Sequence, residues 1–234
     1  MSKIKQLVLP RQDEDGNYYI SYSQISKWKR NKREYIRKYF FGEPDDNAAL
    51  QKYGDFGHKV GEAYENNDFS AWNEEEAEFL KTLPHFDEFE REIKLKMKGF
   101  YVLGYIDTNS APEMYMKHSI PFECVKELAD YKTGDIGKRA PEYEADDYLQ
   151  VDIYAAALEQ DYGKYPDKGS VVLIGRSGNA FAGEELNLTM EAKIIDRPIS
   201  KKRCKVVLKQ VQEIAEEISS YYEAYLKLRG KWDA

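Results

Sequence analysis

The chain has 234 residues, with 42% apolar and 14% aromatic residues, 19 Tyr among them, and 33% charged residues. That balance excludes a disordered polymer and a chain built of membrane spans, and the length suits one domain with a real core. Lys and Arg number 35 against 42 Asp and Glu, a net charge of −7, which excludes a uniform basic coat but leaves room for a local basic groove.

Residues 1–10 hold only Leu7-Val8-Leu9 as an apolar stretch, so no export signal is expected. Ser21 and Gln24 have the spacing of a capping box, and Ile25, Trp28, Ile36 and Phe40 recur near helical spacing, which predicts a helix over 22–41. Its other face carries Lys27, Lys29, Arg30, Lys32, Arg33, Arg37 and Lys38, a run that reads equally well as a solvated face or as a phosphate-binding one. Trp28, Tyr22 and Tyr35 interleave with it as base-stacking candidates, with core packing preferred for Trp28.

Further helices are predicted over 57–66 and 73–83. Ile93, Leu95 and Met97 alternate with Lys94, Lys96 and Lys98 before Gly99-Phe100, so a β-hairpin is expected to run into Tyr101 to Asp107. A strand follows over 122–132, a helix over 142–159, a short buried strand over 171–176 and more β structure over 184–195. Residues 205–229 close the chain as an amphipathic helix whose apolar side holds Leu208, Val211, Ile214, Ala215, Ile218, Tyr222 and Tyr225. A second basic group, Lys201, Lys202, Arg203, Lys205 and Lys209, overlaps its start. No repeat or low-complexity linker interrupts the chain, and the turn clusters 42–47, 109–112 and 161–169 are short enough to be loops within one domain. Cys124 and Cys204 lie eighty residues apart with no CxxC companion, which suits a reducing cytosol and argues against a disulfide framework, a zinc ribbon or a cysteine-held cluster.

Chemistry concentrates in the middle of the chain. Asp107 ends the predicted hairpin and Asp130 ends the next strand, with Lys132 two residues on and therefore on the same face as Asp130. If the two strands are neighbours, the carboxylates meet and repel unless a cation lies between them. Oxygen ligands without cysteine select a hard ion such as Mg2+ or Mn2+, which keeps several waters as candidate nucleophiles. Lys132 within reach would orient or activate water, or neutralise charge at a phosphoryl transition state. A bare Asp-x-Lys string recurs by chance, but His58 upstream offers an imidazole nitrogen, and Gln150 and Tyr154 share a helix face downstream. Glu62 and Glu65 read as solvated helix acids, and His85 and His118 as solvent-facing loop residues.

Five blocks over residues 21–154 resemble the PD-(D/E)XK nuclease superfamily, in its RecB/AddB-type branch: Ser21 to Trp28 as the "S-x-S-x-L" helix, Phe56-Gly57-His58 as "G-x-x-H", Gly104-Tyr105-Ile106-Asp107 as "G-x-I-D", Ala129-Asp130-Tyr131-Lys132-Thr133-Gly134 as "D-Y-K-T-G", and Gln150 to Tyr154 as "Q-x-x-x-Y". In the histidine block His58 directly follows Gly57, and Gly54 supplies the glycine at the longer spacing. The resemblance implies an α/β fold with a restriction-endonuclease-like core, a central mixed β-sheet flanked by helices, in a single domain over 1–234. Within it, 20–66 would form N-terminal helices with the basic face and histidine block, 88–160 the catalytic core and 205–229 the C-terminal helix. It implies Asp107, Asp130 and Lys132 as catalytic, and His58, Asp107, Asp130 and the Tyr131 carbonyl as ligands of Mg2+ or Mn2+. Gln150 and Tyr154 would support the site or contact DNA, and, read from the basic helix itself, Lys27, Lys29, Arg30 and Arg33 would meet DNA phosphates. Iron–sulfur members of the branch have Cys-Pro after the first helix; this chain has Asn31-Lys32 and no later cysteine group, so no iron–sulfur cluster is expected.

The expected activity is a Mg2+-dependent deoxyribonuclease, an exonuclease of DNA recombination, repair or phage DNA metabolism, working in the cytoplasm without a membrane partner. A helicase or single-strand annealing protein is the expected partner class, with a ring-shaped homo-oligomer left open. The alternative is a catalytically silent DNA-binding or scaffold subunit that keeps the fold; a metal phosphoesterase of small substrates would need a closed pocket instead.

Overall fold

The computed structural model describes residues 6–44, 48–117 and 120–232; His118 and part of the 42–47 turn lie outside them. A short strand, β1 (Tyr19–Ser21), leads into α1 (Tyr22–Arg30). The capping box forms: Ser21 N–H donates to Gln24 Oε1 at 2.9 Å and Gln24 N–H donates to Ser21 Oγ at 3.4 Å. The single helix expected over 22–41 is two. Asn31 leaves helical conformation, with φ −156° and ψ 89°, and its side chain accepts from Glu34 N–H at 3.2 Å to cap α2 (Lys32–Tyr39). An amide that competes for backbone donors makes a good cap and a poor helix interior.

Helix α3 (Ala48–Glu65) starts well before the expected Gly57, and α4 (Glu74–Lys81) is capped by Asn73. Strands β2 (Glu88–Met97) and β3 (Phe100–Asn109) form the expected hairpin around Gly99, whose φ of +89° suits a residue without Cβ. The strand expected over 122–132 is divided. Its first part, β5 (Ile120–Cys124), pairs with β4 (Glu113–Lys117) in a separate two-stranded sheet, and β6 (Glu127–Gly134) begins anew.

The helix expected over 142–159 is also two, α5 (Ile136–Glu144) and α6 (Gln150–Tyr162). Arg197 holds the break: its Nη1 donates to the carbonyls of Tyr143 at 2.7 Å and Ala145 at 3.0 Å, and its Nη2 to that of Tyr148 at 3.0 Å. Those carbonyls lie in the last turn of α5 and in the link to α6, where helical partners run out. Strand β7 (Lys168–Ser177), a 3-10 turn (Ala180–Ala182), β8 (Asn187–Arg197) and α7 (Lys201–Trp232) complete the chain. Among the described residues no helix is long and apolar enough to cross a membrane.

Contacts group the chain into two units interleaved in sequence: Met1–Asp45, Glu92–Gly104 and Lys201–Ala234 form one, and Asp46–Arg91 and Tyr105–Ser200 the other. In the first, β1 runs parallel to the start of β3, with Ile20 opposite Val102. Ile25, Trp28, Tyr35, Val211, Ala215 and Ile218 are buried there, and Trp28 Nε1 donates to Glu217 Oε2 at 2.9 Å. In the second, a mixed sheet has the order β3-β6-β7-β8: β3 and β6 antiparallel, β6 and β7 parallel, β7 and β8 antiparallel. One face packs on α3 and α4, where Val60, Ala63, Tyr64, Leu80 and Leu83 share a core with Ala129, Val172, Ile174 and Leu188. The other faces α6, close enough that a Cβ on Gly169 would lie 2.5 Å from Val151. Strand β7 is covered on both sides, so Val171 to Ile174 are apolar without alternation. Helix α6 is buried from Gln150 to Leu158 for the same reason.

Candidate active site

The site forms where β3 and β6 part. They pair only at Thr108 with Ala129 and Asn109 with Leu128. One step further stand Asp107 and Asp130, and there the ladder is replaced: Tyr131 N–H donates to Asp107 Oδ2 at 2.6 Å. A backbone donor that would otherwise serve the sheet thus fixes a carboxylate.

Asp130 is fully buried. Its Oδ2 meets Lys132 Nζ at 2.5 Å and accepts from the Tyr148 hydroxyl at 2.7 Å, while its Oδ1 is buried with no hydrogen-bond partner. Lys132 Nζ also donates to the Tyr131 carbonyl at 3.2 Å. A buried carboxylate holds its charge only with such partners, and an unmet oxygen on it costs free energy that a further donor or cation would recover. The Tyr148 hydroxyl also lies 3.0 Å from Gln150 Oε1, and Gln150 Nε2 donates to the Tyr154 hydroxyl at 2.7 Å. The expected i, i+4 pair therefore stands behind Asp130, with Tyr148 as its link.

Burial raises the pKa of Asp107 to about 8, helped by the neighbouring Asp130 charge and opposed by Lys132 and by the Tyr131 N–H. Burial works against the Lys132 ammonium, but the charges of Asp130 and Asp107 outweigh it and hold the proton more firmly than on an ordinary lysine. In this arrangement Lys132 is a cation and a donor. Glu90 has its carboxyl raised by burial and by Glu65, with His58 and Lys132 opposing. It lies on β2 in the left-handed region at φ +48°, a strained conformation for a residue with a Cβ.

The structure thus gathers Asp107, Asp130 and Lys132, with Gln150 and Tyr154 behind them. His58 is exposed on α3, and among the described residues no three His, Cys, Asp or Glu side chains converge as a metal-holding set. Helix α3 packs on the face bearing Tyr131, Asp130 and Lys132 face α6, and Glu90 feels the charges of His58, Lys132 and Asp130 together. Asp107, Asp130 with its unmet Oδ1, and the Tyr131 carbonyl still fit a hard divalent ion, which takes few protein oxygens and keeps water in the remaining positions. Glu62 and Glu65 are exposed. Lys27, Lys29, Arg30 and Arg33 belong to the other unit, where Trp28 and Tyr35 are buried and so do not serve as stacking platforms.

Two residues escaped the sequence reading. Tyr148 stands two positions before Gln150, inside a stretch read as continuous helix; the signal for it is the helix break, which depends on distant Arg197. Glu90 lies outside every block, and only its conformation and neighbours mark it.

No family model matches the chain, and no curated protein matches it. Among solved structures, a protein of Eubacterium rectale named "Putative exonuclease" is 12% identical, with 92% of this chain and 86% of that one covered and a TM-score of 0.48. A likeness of that degree assigns neither fold family nor activity.

Proposed function

We propose that the protein is a metal-dependent DNA nuclease acting as an exonuclease, with Asp107, Asp130 and Lys132 at its centre. The observation that carries this reading is the buried Asp130, met on one oxygen and unmet on the other, with the Asp107 carboxyl fixed beside it by the Tyr131 N–H. Lys132 pairs directly with Asp130, and a divalent ion would neutralise the second carboxylate as well. An Mg2+ or Mn2+ ion bound there supplies a water of lowered pKa and neutralises phosphate charge. Asp107, once ionised, would hold such an ion together with Asp130 and the Tyr131 carbonyl. Lys132 presents an ammonium that would meet the charge developing on the phosphate. Tyr148 keeps hold of Oδ2 and so leaves Oδ1 open, with Gln150 and Tyr154 fixing Tyr148 in turn. Glu90 and His58 stand as candidates for orienting water or ion from the α3 side. The cytoplasm, a helicase or annealing partner and a homo-oligomer are proposals that go with this reading.

End-labelled single- and double-stranded DNA, linear against circular, digested with Mg2+, Mn2+ or a chelator, tests it. Linear DNA should be degraded only with metal, and Asp130→Asn and Lys132→Ala should each abolish this in folded protein. Cleavage that survives chelation, or survives in both variants, rejects the reading. The closed Lys132–Asp130 pair favours a second reading, a silent DNA-binding module. Salt-sensitive DNA binding with no Mg2+ or Mn2+ uptake would select that one.

A further inference from the structure

The loop that joins β7 to β8 presents a cation that the acid centre does not use. Arg176, near the end of β7, is half-buried; its Nε and Nη1 are shielded from solvent and have no hydrogen-bond partner among the described residues. Its guanidinium lies 4.0 Å from the centroid of the Tyr53 ring. That ring is pinned: Ala180 N–H donates to the Tyr53 hydroxyl at 2.9 Å, and the hydroxyl donates to Asn179 Oδ1 at 3.3 Å. Phe181 follows, 62% exposed, with its ring centroid 5.9 Å from that of Tyr53. The loop's path is specified by Gly178, at φ +85°, where a Cβ would come within 1.9 Å of the Glu185 carbonyl oxygen.

A guanidinium carries its charge at every working pH and offers five donors in a planar fork. Stacking on Tyr53 satisfies its face but none of its N–H groups. Shielded, unmet donors on a charged group call for an acceptor, and the fork matches the paired oxygens of a phosphate. The place is apt as well. Strands β6 and β7 are parallel with Thr133 opposite Ile174 on the side that packs on α3, and Arg176 follows Ile174 across a bulge to reach Tyr53 on that helix. Helix α3 connects the two points: Gly57 passes over Thr133, with a would-be Cβ 3.9 Å from its Oγ1, and Tyr53 stands one turn earlier.

We infer that Arg176, Tyr53 and Phe181 form a subsite for single-stranded DNA, in which Arg176 takes a backbone phosphate and Phe181 stacks on an unpaired base. The inference rests on the nuclease reading and adds where the strand is held. Arg176 and Phe181 contribute differently: a phosphate contact releases counterions, whereas stacking does not.

Anisotropy of a labelled oligothymidylate, with a 5′-phosphate or a 5′-hydroxyl, titrated in chelator over a range of salt, separates the two. Arg176→Gln should weaken binding about tenfold at low salt and lower the slope of log K against log salt by about 0.7, the value for one single-strand phosphate contact. Phe181→Ala should weaken binding by a similar factor with the slope unchanged. A loss confined to the 5′-phosphate strand places the subsite at a strand end, and an equal loss on both places it at an internal phosphate; either supports the inference. Should Arg176→Gln melt early, Arg176→Lys is read instead, with the slope kept and affinity several-fold lower. Unchanged affinity and slope in the folded Arg176 variant, with a wild type that binds and cuts DNA, overturn the subsite alone. A wild type that neither binds nor cuts overturns the subsite and the nuclease reading together.

Discussion

Along β6, Ala129, Tyr131 and Thr133 project toward α3 and α4, while Asp130 and Lys132 project toward α6, and the two sides treat burial in opposite ways. The Tyr131 ring stacks on Tyr64, with centroids 4.8 Å apart and planes 14° from parallel, and its hydroxyl donates to the Pro84 carbonyl at 2.8 Å. Every polar atom of that side chain is met. Asp130 is just as much a part of the strand, yet it buries a charge, engages one oxygen twice and leaves the other unmet. One face holds the fold together, and the other retains an unfavourable arrangement that a ligand would relieve. The peptide between them joins the two, since Tyr131 donates its backbone N–H to Asp107.

The largest separation between the faces should come from their harshest substitutions. Asp130→Asn is expected to lower cleavage by about 10³-fold or more, the scale of losing an electrostatic partner of the transition state, while thermal melting changes little. Tyr131→Ala should instead cost about 3 kcal/mol of stability in a denaturant titration, from lost aromatic packing on Tyr64, with metal-dependent cleavage persisting below the new midpoint. An Asp130→Asn protein that unfolds, or a Tyr131→Ala protein that is stable but inert, would reverse the assignment of the faces.

The acid face should also answer to pH. Asp107 binds its proton more tightly folded than unfolded, with its pKa raised from 3.8 to about 8, so the folded state holds the extra proton between those values. Stability must then fall as pH rises through that window. Between pH ~5.5 and ~8.5, above the range of ordinary surface carboxylates, the metal-free protein should melt at a steadily lower temperature, and Asp107→Asn should flatten the trend. Added Mn2+ should raise the melting temperature more at the upper end, where Asp107 has already released its proton. A flat profile in the wild type would remove the crowded-acid account of this face.

What could be read from the sequence follows the same division. Asp130 and Lys132 were placed on one face by strand alternation alone, and Gln150 with Tyr154 by helical spacing, because both periods are local properties of the chain. The capping box at Ser21 was legible for that reason too. The break between α5 and α6 was not: the groups that hold it come from Arg197, about fifty residues away, and the apolar pattern of buried α6 has no polar side to mark its start. The early start of α3 and the division of β5 from β6 were missed likewise, since pairing with β4 is a tertiary choice. The two interleaved units left no linker to find, for β2 and β3 each contribute residues to both.

The finest test of the comparison is one chemical change made twice. Tyr131→Phe and Tyr148→Phe each remove a single hydroxyl, one from a carbonyl of the core and one from Asp130. At Tyr148 the loss frees Asp130 Oδ2 to share its proton partners differently, so cleavage should drop about tenfold and its pH profile should shift, with KM little altered. At Tyr131 the loss leaves the Pro84 carbonyl without its donor, and the expected effect is only about 1 kcal/mol of stability, with rate and pH profile unchanged. The second result matters as much as the first. The Tyr131 backbone, not its ring, touches Asp107, so a variant that keeps the backbone and loses the hydroxyl should leave the acid centre as it was; a shifted pH profile in Tyr131→Phe would mean that the two faces of β6 are coupled through the side chain after all.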